Sequence, residues 1–207
     1  MAANDGTILK SIQSPGPSPE GLTFDGDNLW VADRTERKIF KVDPNSGQVL
    51  FSISFDGELA GTAWDGKHIW QADRTSRTIS RIDPETGSID VSLAVDTTTG
   101  DLSGLFYEGG GIWYALSRLG QARKVRETDG AYMRAFPTRP EICGLVISGR
   151  HLYYTEPQAG LLHKMDSTAG SILISYRVGG RPTGLAAQEG TFWIADSDEK
   201  TIRQVKF

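Results

Sequence analysis

The stretch NLWVADRTERKIFKVDP, residues 28–44, is followed forty residues later by HIWQADRTSRTISRIDP, residues 68–84. Both stretches place a tryptophan three residues before an Asp-Arg pair, and both end on Asp-Pro. Self-similarity at a fixed period of this length indicates a protein built from repeated supersecondary units.

Five copies of the unit are present. A glycine begins the first apolar run of each unit, with spacings of 40, 43, 40 and 40 residues, at Gly21, Gly61, Gly104, Gly144 and Gly184. An aromatic residue follows at a nearly fixed distance, at Trp30, Trp70, Trp113, Tyr153 and Trp193. A residue needed five times is expected to pack one unit against the next. The repeats then start near residues 20, 60, 103, 143 and 183.

Each unit contains four short runs of β-branched and aromatic residues separated by turn residues, and no run has helical periodicity. In the first unit the strands are predicted at 21–24, 28–33, 38–43 and 48–55. Asp-Gly at 25–26 and Pro44 with Gly47 provide the turns between them. Four strands per forty residues are typical of a propeller blade, so we predict an all-β, five-bladed β-propeller.

The two ends of the chain complete each other. The last unit stops at TIRQVKF, residues 201–207, where the third strand of the first unit also ends. The opening NDGTILKSI, residues 4–12, matches NSGQVLFSI, residues 45–53, which is a fourth strand. We therefore predict that residues 5–12 supply the missing outer strand of the last blade and close the ring, in a single domain of residues 1–207.

Composition narrows the classes of function. The chain has 207 residues with 22 basic and 26 acidic side chains, a net charge of −4, and the two signs are interleaved. No basic stripe is available for nucleic acid, and no apolar run is long enough to span a membrane. The opening MAANDGTILK has no signal-peptide pattern, and the compartment stays open between cytoplasmic and exported with a removed leader. Cys143 is the single cysteine, and we expect a monomer.

The connections on one face vary between units, as expected of a ligand-binding face. These are the connections from the outer strand D to the next inner strand A and from strand B to strand C, which share a face because the strands run antiparallel. The candidate binding residues on this face are Glu20, Asp33, Arg34, Asp73, Arg74, Arg118, Glu156 and Asp196. The same connections also carry Glu58, Asp101, Glu141, Arg181 and Asp198.

A carboxylate recurs three residues after the aromatic in four of the five units. The five positions are Asp33, Asp73, Leu116, Glu156 and Asp196. One interpretation is structural: each carboxylate accepts hydrogen bonds from amides of the following turn. The other is an acidic rim that binds an amine or a divalent cation. No resident cofactor is predicted, and the histidines do not form a metal triad because His68 and His151 fall on the opposite face and His163 in a C strand.

The repeats resemble those of a known family. PEGLTFDGDNLWVADRTERKIFKVDPNSGQVL, residues 19–50, and IDPETGSIDVSL, residues 82–93, are similar to repeats of the glutamine cyclotransferases, five-bladed propellers that cyclise N-terminal glutamine. They also resemble repeats of virginiamycin B lyase-like propellers. The likeness covers the whole chain, but the shared letters are mostly turn and packing residues.

The family's functional residues are only partly represented. Its glutamine before Gly-Leu corresponds to Glu20, its catalytic glutamate corresponds to Val31, and its Asn-Glu-Leu-Glu segment has no counterpart. Cyclisation would then need another acid or base, such as Asp33 or Glu156. The lyase site uses histidines with a divalent metal, and the variable face here has no histidine.

The sequence supports one function and leaves two alternatives. The preferred function is binding of a small molecule or a peptide end at the mouth of the central channel, on the variable face. The first alternative is a glutaminyl-peptide cyclotransferase-like or lyase-type enzyme with a rearranged acid/base set. The second is a protein-interaction scaffold.

Overall fold

The computed structural model describes residues 4–207, in which β-strands form five sheets. In chain order the strands are β1 (Asn4–Asp5), β2 (Thr7–Gln13), β3 (Pro19–Phe24), β4 (Leu29–Asp33), β5 (Lys38–Val42), β6 (Val49–Ser54), β7 (Leu59–Trp64), β8 (Ile69–Asp73), β9 (Thr78–Ile82), β10 (Ile89–Ala94), β11 (Asp101–Glu108), β12 (Gly111–Ser117), β13 (Gln121–Arg126), β14 (Tyr132–Pro137), β15 (Leu145–Ser148), β16 (His151–Glu156), β17 (Leu161–Asp166), β18 (Ile172–Arg177), β19 (Pro182–Gln188), β20 (Thr191–Asp196) and β21 (Thr201–Lys206). Over this range no helix could cross a membrane.

The sheets are the blades of a five-bladed β-propeller, as the sequence predicts. Blades one to four are β3–β6, β7–β10, β11–β14 and β15–β18, and blade five contains β19, β20 and β21 with β2. The inner strands β3, β7, β11, β15 and β19 contact one another in this order, and β19 returns to β3. The strands predicted for the first unit agree with β3–β6 to within two residues.

The N-terminal strand closes the ring. β2 pairs antiparallel with β21, from Thr7 opposite Lys206 to Gln13 opposite Thr201. The prediction that the N-terminal segment, residues 5–12, closes the ring is therefore confirmed, and β2 itself runs from Thr7 to Gln13. Asp5 belongs to β1, which pairs in parallel with β18 at the outer edge of blade four. The N-terminal strands β1 and β2 thus contribute to neighbouring blades, and β2 lies beside the C-terminal strand β21.

The five glycines that begin the units lie where the inner strands approach one another most closely around the axis. A methyl group at Gly104 would collide with the Cys143 carbonyl oxygen, and one at Gly144 would collide with the Thr183 carbonyl oxygen. At this level the described residues leave no space for a water molecule inside the ring. We call this level the glycine waist, and it divides the central channel into two separate chambers.

The repeated aromatic residues pack between blades, as predicted. Trp30 of blade one is buried in a cluster with Ile53 of the same blade and with Leu59 and Ile82 of blade two. Its indole Nε1 also donates to Asp25 Oδ2 at 2.8 Å, in the turn five residues earlier. The same bond recurs at Trp70, Trp113 and Trp193 with Asp65, Glu108 and Gln188. Each buried indole therefore has a hydrogen-bond partner.

Substitution of a waist glycine tests the close approach of the inner strands. Gly104→Ala should lower the free energy of unfolding by about 1–3 kcal/mol, because the backbone must shift to accept the methyl group. Gly149→Asn is the control, since Gly149 has open space and a φ of +61°, which asparagine tolerates. Guanidinium denaturation measures both. Equal stability of the two variants would contradict a tightly packed waist.

Candidate functional site

A polar cavity of about 470 Å³ occupies the channel mouth on the variable face. Four carboxylates and three guanidinium groups line it: Glu20, Glu58, Asp101, Glu141, Arg34, Arg74 and Arg181. They come from the segments that enter the inner strands and from the turns after the B strands. The sequence placed all seven on this face, and the structure brings them together around one cavity.

The charges of blades one to three are paired with one another. Arg74 Nη2 lies 3.1 Å from Glu20 Oε2, and Arg74 Nη1 lies 3.7 Å from Glu58 Oε1. Arg34 approaches the same two carboxylates at 3.8 and 4.0 Å. Arg74 is further held by a bond from its Nε to the Leu102 carbonyl oxygen at 2.9 Å. Although burial opposes its charge, the Glu20 carboxylate raises the pKa of Arg74. We call this group the paired half of the mouth.

The part of the mouth formed by blades four and five is different. The Glu141 carboxylate accepts one hydrogen bond, from the neutral Gln158 side chain at 3.3 Å. Within the described residues neither Glu141 nor Arg181 has an oppositely charged side chain at salt-bridge distance. Both line the cavity. This open half therefore offers one free negative and one free positive group to a ligand.

The floor of the cavity contains small polar groups that the sequence analysis did not single out. Ser103 Oγ donates to the Ile142 carbonyl oxygen at 2.9 Å, and Thr183 Oγ1 donates to the Pro19 carbonyl oxygen. Both bonds join neighbouring blades. Cys143 is 7% exposed, and burial raises the pKa of its thiol to about 12. The floor is therefore uncharged, and the one signal for it in the sequence is the placement of Ser103 and Thr183 next to the waist glycines.

The predicted rim residues Asp33, Asp73 and Asp196 lie outside the cavity lining and are at most 5% exposed. Each carboxylate joins the segment before strand A to the turn after strand B. Asp33, for example, accepts backbone N–H bonds from Ser18 at 2.6 Å, Thr35 at 3.0 Å and Glu36 at 2.9 Å. With these bonds they act as backbone clamps, so we leave them out of the proposed ligand set.

Glu156, Arg118 and Asp198 also lie outside the cavity lining. Glu156 Oε2 is 2.7 Å from His163 Nε2, and the other ring nitrogen of His163 is 2.8 Å from Ser175 Oγ. Arg118 is exposed and pairs with Asp101 at 2.9 Å. Asp198 is exposed and follows the Asp196 clamp. Of these three residues, Arg118 alone contacts a carboxylate of the cavity lining, and Glu156 is bonded to His163 instead.

Two other arrangements of side chains are weaker candidates for a site. Within residues 4–207 no three His, Cys, Asp or Glu side chains converge as a metal site would require. A groove of about 500 Å³ lies between the outer parts of blades two and three. Its charged residues Arg123 and Asp96 are paired with each other at 3.0 Å. The channel mouth is therefore the stronger candidate.

The clamp role of the recurring carboxylates can be measured at Asp196. Arg203 Nη2 bonds its Oδ2 at 2.6 Å, and the amides of Arg181, Asp198 and Glu199 bond its Oδ1. Asp196→Ala should lower the free energy of unfolding by about 3–5 kcal/mol, because the largely covered Arg203 guanidinium loses its charge partner and three backbone amides lose their acceptor. Asp198→Ala, in the same turn but exposed, should change it by less than about 0.5 kcal/mol. Similar small losses in both variants would refute the clamp.

The buried His163 makes stability depend on pH. Burial lowers the pKa of His163 below its ordinary 6.5, although the Glu156 carboxylate opposes this. Between the lowered pKa and pH 6.5 the unfolded chain binds more protons than the folded chain. The stability that the neutral, buried His163 contributes is therefore complete above pH 6.5 and is lost as the pH falls through the lowered pKa. The stability advantage of the wild type over His163→Gln should therefore shrink as the pH falls from about 7.5 to about 5. Urea denaturation across this range measures it, and a constant difference would contradict the burial effect.

Comparison with known proteins supports the fold. No protein-family model and no curated protein sequence matches the chain. The crystal structure of Myxococcus xanthus glutaminyl cyclase aligns with a TM-score of 0.85 at 13% identity, over 99% of this chain and 97% of that chain. Virginiamycin B lyase from Staphylococcus aureus aligns with a TM-score of 0.57 at 16% identity, over 95% of this chain and 68% of that chain. The fold-level resemblance seen in the repeats is thereby confirmed.

Proposed function

We propose that this propeller binds a small zwitterion, an amino acid or a short peptide, at the channel mouth of the variable face. One observation carries the proposal: among residues 4–207 the open half presents Glu141 and Arg181 without charged partners, while the other arginines and carboxylates of the mouth are paired. The ligand's ammonium group would bind Glu141, and its carboxylate would bind Arg181. Charge-assisted bonds of this kind are stronger than neutral ones.

The paired half supports this assignment by fixing the remaining charges. The Glu20 side chain is 11% exposed and the Arg74 side chain is 19% exposed, so both are partly removed from water. Separating them would leave a shielded charge without its partner, which is costly. A ligand therefore gains most from the open half, where its own charges compensate those of the protein. The uncharged floor formed by Ser103, Cys143 and Thr183 then contacts the middle of the ligand.

The enzyme alternative is cyclisation of an N-terminal glutamine, the activity that the name of the Myxococcus xanthus neighbour describes. Its support is the alignment over almost the whole of both chains. The residues considered for acid/base work argue against it, because Asp33 is bonded to three backbone amides and Glu156 to His163, both outside the cavity lining. Glu20 would have to leave Arg74 before it could transfer a proton. Binding without turnover is therefore the function we favour.

The dipeptide Gln-Ala tests both functions in one titration. Isothermal calorimetry should give saturable binding to the wild type, with no loss of ammonia from the peptide by mass spectrometry. Glu141→Gln and Arg181→Gln should each weaken binding by about 10- to 100-fold, the equivalent of one lost charge-assisted bond. N-acetylation of the peptide should mimic the first variant, and C-terminal amidation should mimic the second.

Two controls use the same substitutions away from the mouth. Glu85→Gln lies in an exposed turn on the opposite face, and Arg177→Gln lies in the outer strand of blade four. Both should bind Gln-Ala as the wild type does. Equal weakening in the controls, or no binding by the wild type, would refute the zwitterion site. Release of pyroglutamyl product by the wild type would establish the enzyme alternative instead.

A further inference from the structure

The second chamber of the channel, below the glycine waist, has a different character from the mouth. It is a cavity of about 240 Å³ on the face of the A-to-B turns, and every side chain that lines it is uncharged. Phe24, Trp64 and Phe106 supply aromatic walls, and Ala186 and Ala187 line the side formed by blade five. We call it the apolar chamber. Because the waist has no space for water within the described residues, a ligand at the mouth cannot reach it.

The chamber is wider because blade five departs from the repeat. At the third position after the waist glycine the other four blades carry Phe24, Trp64, Tyr107 and Ile147, whereas blade five carries Ala187. The preceding residue, Ala186, is 4% exposed and equally small. Phe24, Trp64 and Ile147 line the chamber together with Ala187, whereas Tyr107 packs against the core between blades two and three. The small Ala187 side chain therefore widens the chamber on the side of blade five.

Size and lining define what this chamber can hold. An apolar protein cavity of about 150 Å³ is enough to bind benzene, so 240 Å³ accommodates one or two fused rings. Aromatic walls favour a planar ring through edge and offset contacts. Each inner strand is also the end strand of its sheet, so unpaired backbone groups face the axis. These groups provide partners for a single N–H or O–H group on the ring.

We propose that the apolar chamber is a binding site for a small neutral aromatic molecule of one or two rings with one hydrogen-bonding group, such as an indole. The site is separate from the mouth and does not depend on the zwitterion proposal. Charged molecules are excluded because the lining offers no compensating charge.

Fluorine NMR with 5-fluoroindole tests the proposal on the intact protein. The wild type should shift and broaden the fluorine signal in a saturable manner. Ala187→Phe should weaken binding at least tenfold, because its side chain fills the chamber. Ala169→Phe, the same substitution in an exposed turn of the same face, should retain wild-type binding within about twofold. Ala187→Leu is the milder filling variant and decides the question if Ala187→Phe does not fold.

Two further measurements separate this site from the mouth. Arg181→Gln and saturating Gln-Ala should leave 5-fluoroindole binding unchanged, and zwitterionic tryptophan should not compete for the chamber. The proposal is overturned if the wild type shows no saturable binding. It is equally overturned if the folded filling variant binds as tightly as the wild type, or if Arg181→Gln abolishes binding.

Discussion

The close approach of five inner strands at the glycine waist is the constraint on which the rest of the structure depends. A side chain at Gly104 or Gly144 would strike a carbonyl oxygen of the neighbouring blade, so the ring closes without backbone shifts only with glycine at these positions. Water is excluded at this level within the described part of the chain. The axis is thereby divided into a charged chamber above and an apolar chamber below, each with its own chemistry.

Carboxylates near the axis serve two different purposes, and the burial of each carboxylate indicates which purpose it serves. The carboxylates after the B strands, such as Asp33 and Asp196, are covered and bonded to backbone amides, so they hold the connections on which the mouth is built. The carboxylates before the A strands remain at the cavity. Among these, Glu20 is bound by Arg74 across the mouth, whereas Glu141 remains without an ionic partner among the described residues. We therefore propose that ligand recognition is concentrated on blades four and five.

The sequence predicts the fold in detail because the turn glycines and the aromatic spacing are local signals that recur in each repeat. The matching chain ends add a single signal for the closure of the ring. The sequence also predicts the face on which the site lies. It does not predict which charges pair, because Arg74 and Glu20 are 54 residues apart and meet through long side chains. The sequence likewise does not distinguish a backbone clamp from a rim ligand at Asp33. The two roles differ in the burial of its carboxylate, which depends on how the connection at Ser18 folds over it. Ala187 departs from the larger residues that the other repeats carry at this position, and this departure is visible in the sequence. Its place in the apolar chamber is visible only in the structure, where the five inner strands converge.

In the proposed function, the open half of the mouth, and not the paired half, receives the ligand. A crystal structure of the protein soaked with Gln-Ala tests this most directly. We expect the ammonium group of the dipeptide beside Glu141 and its carboxylate beside Arg181, with the Glu20–Arg74 pair intact. Density for the dipeptide against Glu20 or Arg74 with that pair broken, or an empty mouth at saturating ligand, would contradict it.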